Sequence, residues 1–438
     1  MSYDLFSLKA PMMPTVPKTA KIIDLLTKNV SNDMREPIVP LLFPLLSSRI
    51  SNAKFLYADN TFKELCGEMA HLVADSGANK GQFGTLVEAL NGDLRTHDYE
   101  VLEKLASFNK RIKTISANKE KPERPDTPLL FPPCDTTKPA FIQNAIALEK
   151  AGNLTQYLNL PEIEQANQIC GGHKAVSLMM RNIFDVARGG ALRATAEGVT
   201  GDPTLRVNIT ISSTPLAART FYKSELFNGT FGRIVFSYKP RTARSGKIPK
   251  QGRYGELFGK QIEPYLQRLR DIRGEFSIPK LNRLINQLAE DMANLADLAD
   301  DDILFDVSKR SLVNAWKAGC VLWICNNHQW SSSFDNLVEW LVYHDLWSKL
   351  QVFGDMLTAE KDIVVETRNN GPQNMLALLP DTFTITQLAA LRKKSGKSED
   401  GAKNQLKVWK NRRLVDFDEA LGTYKKTEKF LNSSKSAN

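Results

Sequence analysis

The sequence predicts an α/β protein with a largely parallel sheet, followed by a helical subdomain and a C-terminal helix-turn-helix that carries a β wing. Three observations predict it. Between about residues 56 and 260, short apolar runs bounded by turn residues alternate with helical patterns, the order that builds parallel βαβ units. From Leu281 onward, Leu284, Ile285, Leu288, Met292, Leu295 and Leu298 recur at the helical period. The C-terminal stretch reads helix, turn, helix and two short strands in succession.

The elements follow in order. Residues 1–55 read as a helical lead-in with a helix from Lys18 to Asn29, punctuated by Pro11, Pro14, Pro17, Pro37, Pro40 and Pro44. The core, residues 56–260, opens with an apolar strand from Met69 to Val73. A small, polar stretch comes next, then a helix through Phe83, Leu86, Val87 and Leu90. The six prolines between Ser116 and Pro139 mark an exposed connection. A helix from Pro139 to Lys150, a strand over 156–160, a helical stretch to Ala187 and a strand over 206–212 follow. A strand over 233–238 runs into residues 239–253, which hold Lys239, Arg241, Arg244, Lys247, Lys250 and Arg253 and no acid. Helices passing through Trp316, Val338 and Trp347 make residues 261–365 the helical subdomain. Thr367 to Pro372 read as a linker to a final module over 371–430.

Composition narrows the function classes. The 438 residues are 42% hydrophobic and 24% charged, which excludes wholesale disorder and allows several folded units. Five scattered cysteines do not make a disulfide framework and point to a reducing, cytoplasmic setting. The longest apolar run, Ile38 to Leu46, is broken by two prolines and is far short of a membrane span, and the N-terminus lacks the pattern of a secretory signal. The formal charge of +9 favours a polyanionic partner where the excess is clustered.

A phosphate site needs converging backbone N–H groups, small residues, a lysine and a helix N-terminus. Residues 74–81, Ala-Asp-Ser-Gly-Ala-Asn-Lys-Gly, offer most of this, with Ser76, Gly77, Ala78, Asn79, Lys80, Gly81 and Gln82 as the nucleotide-binding candidates. Against the G-x-x-x-x-G-K-[ST] pattern only the lysine is literal. Asn79 replaces a glycine but tolerates positive φ. Gly81 lacks the hydroxyl that serves a magnesium ion, which Gln82 or Thr85 would have to replace. An ordinary strand-to-helix turn is the competing reading. The strand over 157–160 ends in Pro161, Glu162 and Glu164. Glu162 is the candidate general base, and both acids are candidate metal-ordering carboxylates; the alternative is acids that cap a strand and open a helix. The strand over 207–212 ends in Ser213 and Thr214, where a γ-phosphate sensor would stand. Arg233 follows as a candidate arginine finger, in cis or towards a neighbouring subunit.

Together, A-D-S-G-A-N-K-G (74–81), Y-L-N-L-P-E (157–162), N-I-T-I-S-S-T-P (208–215) and F-N-G-T-F-G-R (227–233) resemble an uncharacterised family of P-loop, helicase-like ATPases encoded in bacterial prophages and integrative or mobilisable elements. The resemblance covers roughly residues 30–350 and rests on the joint order of the motifs. It implies a RecA- or AAA-like P-loop core, ATP with Mg²⁺, a homo-oligomer such as a ring, and a role in replicating or mobilising the element. By position, Lys80 would bind phosphate, Glu162 would activate water and Arg233 would contact the γ-phosphate.

Two further regions suit DNA. Arg188 and Arg193 flank a Gly-containing stretch that could track a single strand, and Arg241 and Arg244 lie in the acid-free loop; both regions read equally as solvated surface. In the C-terminal winged helix-turn-helix, Lys403, Lys407 and Lys410 fall at i, i+4 and i+7 of the second helix, away from Leu406 and Trp409. Residues 371–438 hold thirteen Lys+Arg against seven Asp+Glu, a surplus suited to duplex phosphates, with a protein-docking winged helix as the alternative. Cys320, Cys325, His328 and His344 could be read as a zinc cluster, but the apolar helical spacing favours buried core cysteines; Cys170 and His173 suggest a nucleophile pair only faintly. The function expected is an ATP-dependent DNA motor, with a DNA-binding initiator or accessory protein bearing a non-hydrolysing loop as the alternative.

Overall fold

A computed structural model describes residues 3–5, 7, 9–16, 20–114, 122, 124–125, 127–170, 173–190, 199–226, 229–241, 249–299, 301–367, 375–394, 398–428 and 430–431. The chain divides into two compact units. One comprises Met13–Arg283 and Asn314–Val338; the other comprises Met1–Met12, Leu284–Val313 and Glu339–Asn438. Residues 261–365 are thus divided between the units, and so is the expected lead-in: Met1–Met12 belong to the second unit, and residues 13–55 to the unit that holds the central sheet.

Among the described residues ten strands form three sheets: β1 Ala53–Leu56, β2 Phe62–Glu64, β3 Met69–Ala74, β4 Gln156–Leu160, β5 Val207–Ser213, β6 Val235–Lys239, β7 Gly274–Ser277, β8 Thr382–Phe383, β9 Val415–Asp418 and β10 Thr423–Lys426. In the first unit β3 to β6 make a wholly parallel sheet in the order β4-β5-β3-β6. All six residues of β3 and all seven of β5 are buried, as in parallel strands covered on both faces. Register fixes the ends: Leu160 is level with Ile211, Val73 with Ser213, and Ala74 with Lys239. The C-terminal ends of all four strands therefore lie along one edge. The chain leaves β3 for β4, returns to β5 beside β3, then crosses to β6 on the other side of β3. Such a reversal opens a crevice at the carboxyl end of the sheet. A smaller sheet, β2-β1-β7, was not legible in the sequence; its strands are four residues or fewer.

The prolines at 37, 40 and 44 do not punctuate the lead-in. They lie inside a helix, Asn32–Ser47, buried from Pro37 to Ser47 and packed on β3, β5 and β6. An interior proline costs a helix about 3 kcal/mol or more. Here burial of a run of large apolar side chains, each worth about 2 kcal/mol, offsets that cost. Side chains of the sheet also bond carbonyls of this helix: Ser237 Oγ donates to Pro37 O at 2.7 Å, and Asn208 Nδ2 to Pro44 O at 3.1 Å.

In the second unit, β8, β10 and β9 form an antiparallel sheet beside helices Ile385–Lys394 and Ala402–Asn411. Thr384 and Gln387 form a reciprocal capping box, the Gln387 N–H donating to Thr384 Oγ1 at 3.3 Å and the Thr384 N–H to Gln387 Oε1 at 2.8 Å. Phe383, Leu388, Leu406, Trp409, Val415 and Phe430 fill the core of this module. The long helices Pro279–Ala299, Asp302–Cys325 and Ser333–Thr367 occupy the expected helical stretch.

Candidate functional site

The edge at the C-terminal ends of β3, β4 and β5 brings together most of the residues singled out for nucleotide binding. Residues 75–80 connect β3 to the helix Gly81–Leu90. The loop turns back on itself because Gly77 and Asn79 both adopt positive φ, 77° and 62°. Asparagine tolerates this conformation, so Asn79 does the backbone work of a glycine. Within the loop the Ala78 N–H donates to Asp75 O at 3.2 Å. The N–H groups of Ser76, Gly77, Asn79, Lys80 and Gly81 make no hydrogen bond among the described residues, and they cluster at a helix N-terminus, where the helix dipole favours an anion.

Lys80 is half-buried. Its ammonium donates to Ala74 O at 2.9 Å and Asp75 O at 3.0 Å. Burial lowers its pKa, while the charges of Glu162 and Asp75 act in the opposite direction. Glu162 thus lies within electrostatic reach of Lys80. It is exposed, one residue past Pro161 at the end of β4, and its N–H donates to Gln165 Oε1 at 3.3 Å. Glu164 is also exposed, and its carbonyl accepts the Asn167 N–H at 3.1 Å.

Ser213 and Thr214, at the end of β5 between the loop and Glu162, are both engaged. Ser213 is buried, with Oγ 2.8 Å from His71 Nε2, and it donates to Thr214 O at 3.1 Å. His71 Nδ1 is 3.1 Å from the Tyr222 hydroxyl. Burial pushes His71 down to about 3, so the ring is neutral and has one donor and one acceptor nitrogen for its two neighbours. Sequence reasoning passed over His71 because a lone histidine in an apolar strand gives no signal. Thr214 caps the helix Pro215–Tyr222, accepting the Ala217 N–H at 3.3 Å.

Several expected parts are elsewhere. Gln82 is buried and faces Ser31, accepting its N–H at 2.8 Å and donating to its hydroxyl at 2.9 Å. Thr85 donates to Gly81 O at 3.3 Å, one turn into the helix. Neither supplies a hydroxyl or carbonyl at the loop in place of the one missing at Gly81. No group of three His, Cys, Asp or Glu side chains that could hold a metal occurs among the described residues, so the residues present do not form a protein cage for Mg²⁺. Cys320 and Cys325 are buried core residues.

Arg233 stands towards the opposite edge of the sheet from residues 75–80. It precedes β6, whose Val235 is level with Ala70 near the start of β3. Its guanidinium donates to Gly229 O at 2.7 Å and Asp185 Oδ2 at 2.8 Å and lies over the Phe184 ring. Five residues of parallel strand, about 16 Å, lie between Arg233 and the C-terminal edge of the sheet.

The DNA candidates divide likewise. Arg188 is exposed and donates to Asp202 O at 2.8 Å, in a ladder that leads into the N-terminal end of β5. Arg193 and Arg244 lie outside the described residues. Arg241 is at the C-terminal edge of the sheet, with Nε 3.9 Å from Asp75 Oδ2. In the C-terminal module Lys403, Lys407 and Lys410 form an exposed stripe while Leu406 and Trp409 are buried. Lys407 pairs with Asp4 at 3.1 Å, and Lys410 lies over the Phe417 ring. The hairpin beside them is acidic, with Asp416, Asp418 and Glu419 exposed.

The fold and this edge define an α/β protein built on a parallel sheet, with a glycine- and asparagine-shaped loop at the end of its central strand. No helix among the described residues is long and apolar enough to cross a membrane. The chain matches no known protein-family model and no curated protein.

Proposed function

We propose that the protein is an ATP-dependent DNA motor, helicase-like in mechanism, that serves replication or mobilisation of a bacterial mobile element. The observation that carries this reading is Lys80 on a positive-φ loop at the N-terminus of a helix, with Glu162 within electrostatic reach of it along the same sheet edge. The loop N–H groups and Lys80 would hold the phosphates of ATP. Glu162 is exposed and its carboxylate has no hydrogen bond or ion pair among the described residues, so it is available to orient and deprotonate a water attacking the terminal phosphate. A magnesium ion would arrive with the phosphates and share their oxygens, as this ion commonly does. A P-loop core of RecA or AAA type is the fold that agrees with the loop and with the strand order β4-β5-β3-β6. The C-terminal module, read as a winged helix, would bind DNA phosphates through Lys403, Lys407 and Lys410. Arg233 enters this scheme only towards a neighbouring subunit of a homo-oligomer.

A second reading is favoured by particular observations: Gly81 has no hydroxyl, Gln82 is held by Ser31, and Arg233 is bound to Asp185. These suit a DNA-binding initiator or accessory protein whose loop binds nucleotide without turnover. Titration of the chain with ATP and Mg²⁺, followed by a hydrolysis assay with single-stranded DNA, separates the two. Binding with DNA-stimulated turnover supports the motor; binding alone supports the accessory role; no binding of ATP refutes both.

A further inference from the structure

Asp75 is out of place in an anion site. It is the first residue of the loop after β3, its side chain is 44% exposed, and its charge reaches both Lys80 and Tyr238. A carboxylate there repels any polyphosphate that the loop N–H groups would attract. The cations nearby are mostly committed. Lys239, level with Ala74, is buried and pairs with Asp33 at 3.0 Å, and Lys80 is bonded to two loop carbonyls. Arg241, two residues past the end of β6, brings its guanidinium to within 3.9 Å of the Asp75 carboxylate and is itself 79% exposed.

We propose that Arg241 is a specificity residue of the nucleotide site, masking Asp75 so that the loop accepts the polyphosphate of a nucleoside triphosphate, and not a DNA contact. The inference rests on the nucleotide reading of this edge. A guanidinium has five donors in a planar fork, so one face can remain on the carboxylate while another meets phosphate oxygens. Without it the unmasked acid penalises the more highly charged ligand most, so ATP loses more affinity than ADP.

The test is isothermal titration of the full chain with ATP and with ADP. Arg241→Ala is expected to weaken ATP by about tenfold and ADP by less. Asp75→Asn in the same background is expected to restore ATP affinity, and Asp75→Asn alone to bind ATP at least as tightly as the native chain. Unchanged ATP affinity in Arg241→Ala overturns the inference, even where DNA affinity falls. A double variant as weak as Arg241→Ala overturns it too, since the arginine would then act on phosphate alone. A native chain that binds neither nucleotide removes the nucleotide reading itself, an outcome distinct from both.

Discussion

Replacing Lys80 with methionine removes the ammonium but keeps most of the stem, and its consequence can be sized from the structure. A cation about 4 Å from one phosphate oxygen, at an effective dielectric of about 20, attracts it by about 4 kcal/mol. To reach phosphate, Lys80 gives up its hydrogen bonds to Ala74 O and Asp75 O, each worth about 1 kcal/mol net. The remainder, about 2 kcal/mol, corresponds to about a thirtyfold rise in the Kd for ATP. Methionine also deletes the same two hydrogen bonds in the free chain, so folding stability should fall by up to about 2 kcal/mol. Calorimetric titration with ATP and Mg²⁺, beside a thermal melt of each chain, reads both quantities. Equal ATP affinity in Lys80→Met and the native chain, with both chains folded at the temperature of the titration, would refute the assignment of the loop as a phosphate site.

Three other outcomes follow from particular contacts. Gly67 has φ 74°, and a Cβ there would run into the carbonyl oxygens of Ile183 and Phe184, so Gly67→Ala should cost about 3 kcal/mol and lower the melting temperature by several degrees; an unchanged melt would contradict the packing. Lys403, Lys407 and Lys410 replaced together by glutamine should weaken duplex DNA binding and reduce the salt slope of log K by up to about 0.9 per lysine; an unchanged slope would leave the stripe without a phosphate role. Glu68 is wholly buried, and desolvation raises it from 4.5 to about 7 against the opposing charge of Lys317. Its folded-state pKa is the higher one, so its contribution to stability is fully present below about 4.5 and is lost as the pH rises through about 7. Denaturant melts between pH 5 and 8, about the range of that shift, should show this decline in the native chain and a flatter profile in Glu68→Gln; parallel profiles would refute it.

Much of the sheet was legible because fully buried parallel strands are written as continuous apolar runs: 69–73, 156–160 and 206–212 each match an observed strand to within two residues. The lysine stripe was legible because a 3.6-residue period separates Lys403, Lys407 and Lys410 from Leu406 and Trp409. The helix Asn32–Ser47 was not, since local propensity forbids what burial against β3, β5 and β6 sustains. The site was legible as far as chain order sets it: strands ending in a loop, an acid and hydroxyls share an edge when they are parallel. Side-chain commitments were not. Ser213 to His71, Gln82 to Ser31 and Arg233 to Asp185 are long-range contacts with no spacing that announces them. The edge on which Arg233 stands depends on strand register, which the sequence does not carry.

The central claim, that this edge hydrolyses ATP in the service of DNA, is tested most directly by steady-state ATP hydrolysis with Mg²⁺, with and without single-stranded DNA, for the native chain beside Glu162→Gln. The account predicts turnover that DNA stimulates in the native chain. It predicts for Glu162→Gln undiminished ATP binding with turnover reduced by about 100-fold or more. A native chain that binds ATP and DNA yet shows no turnover, or a Glu162→Gln chain that turns over as fast as the native one, would contradict it.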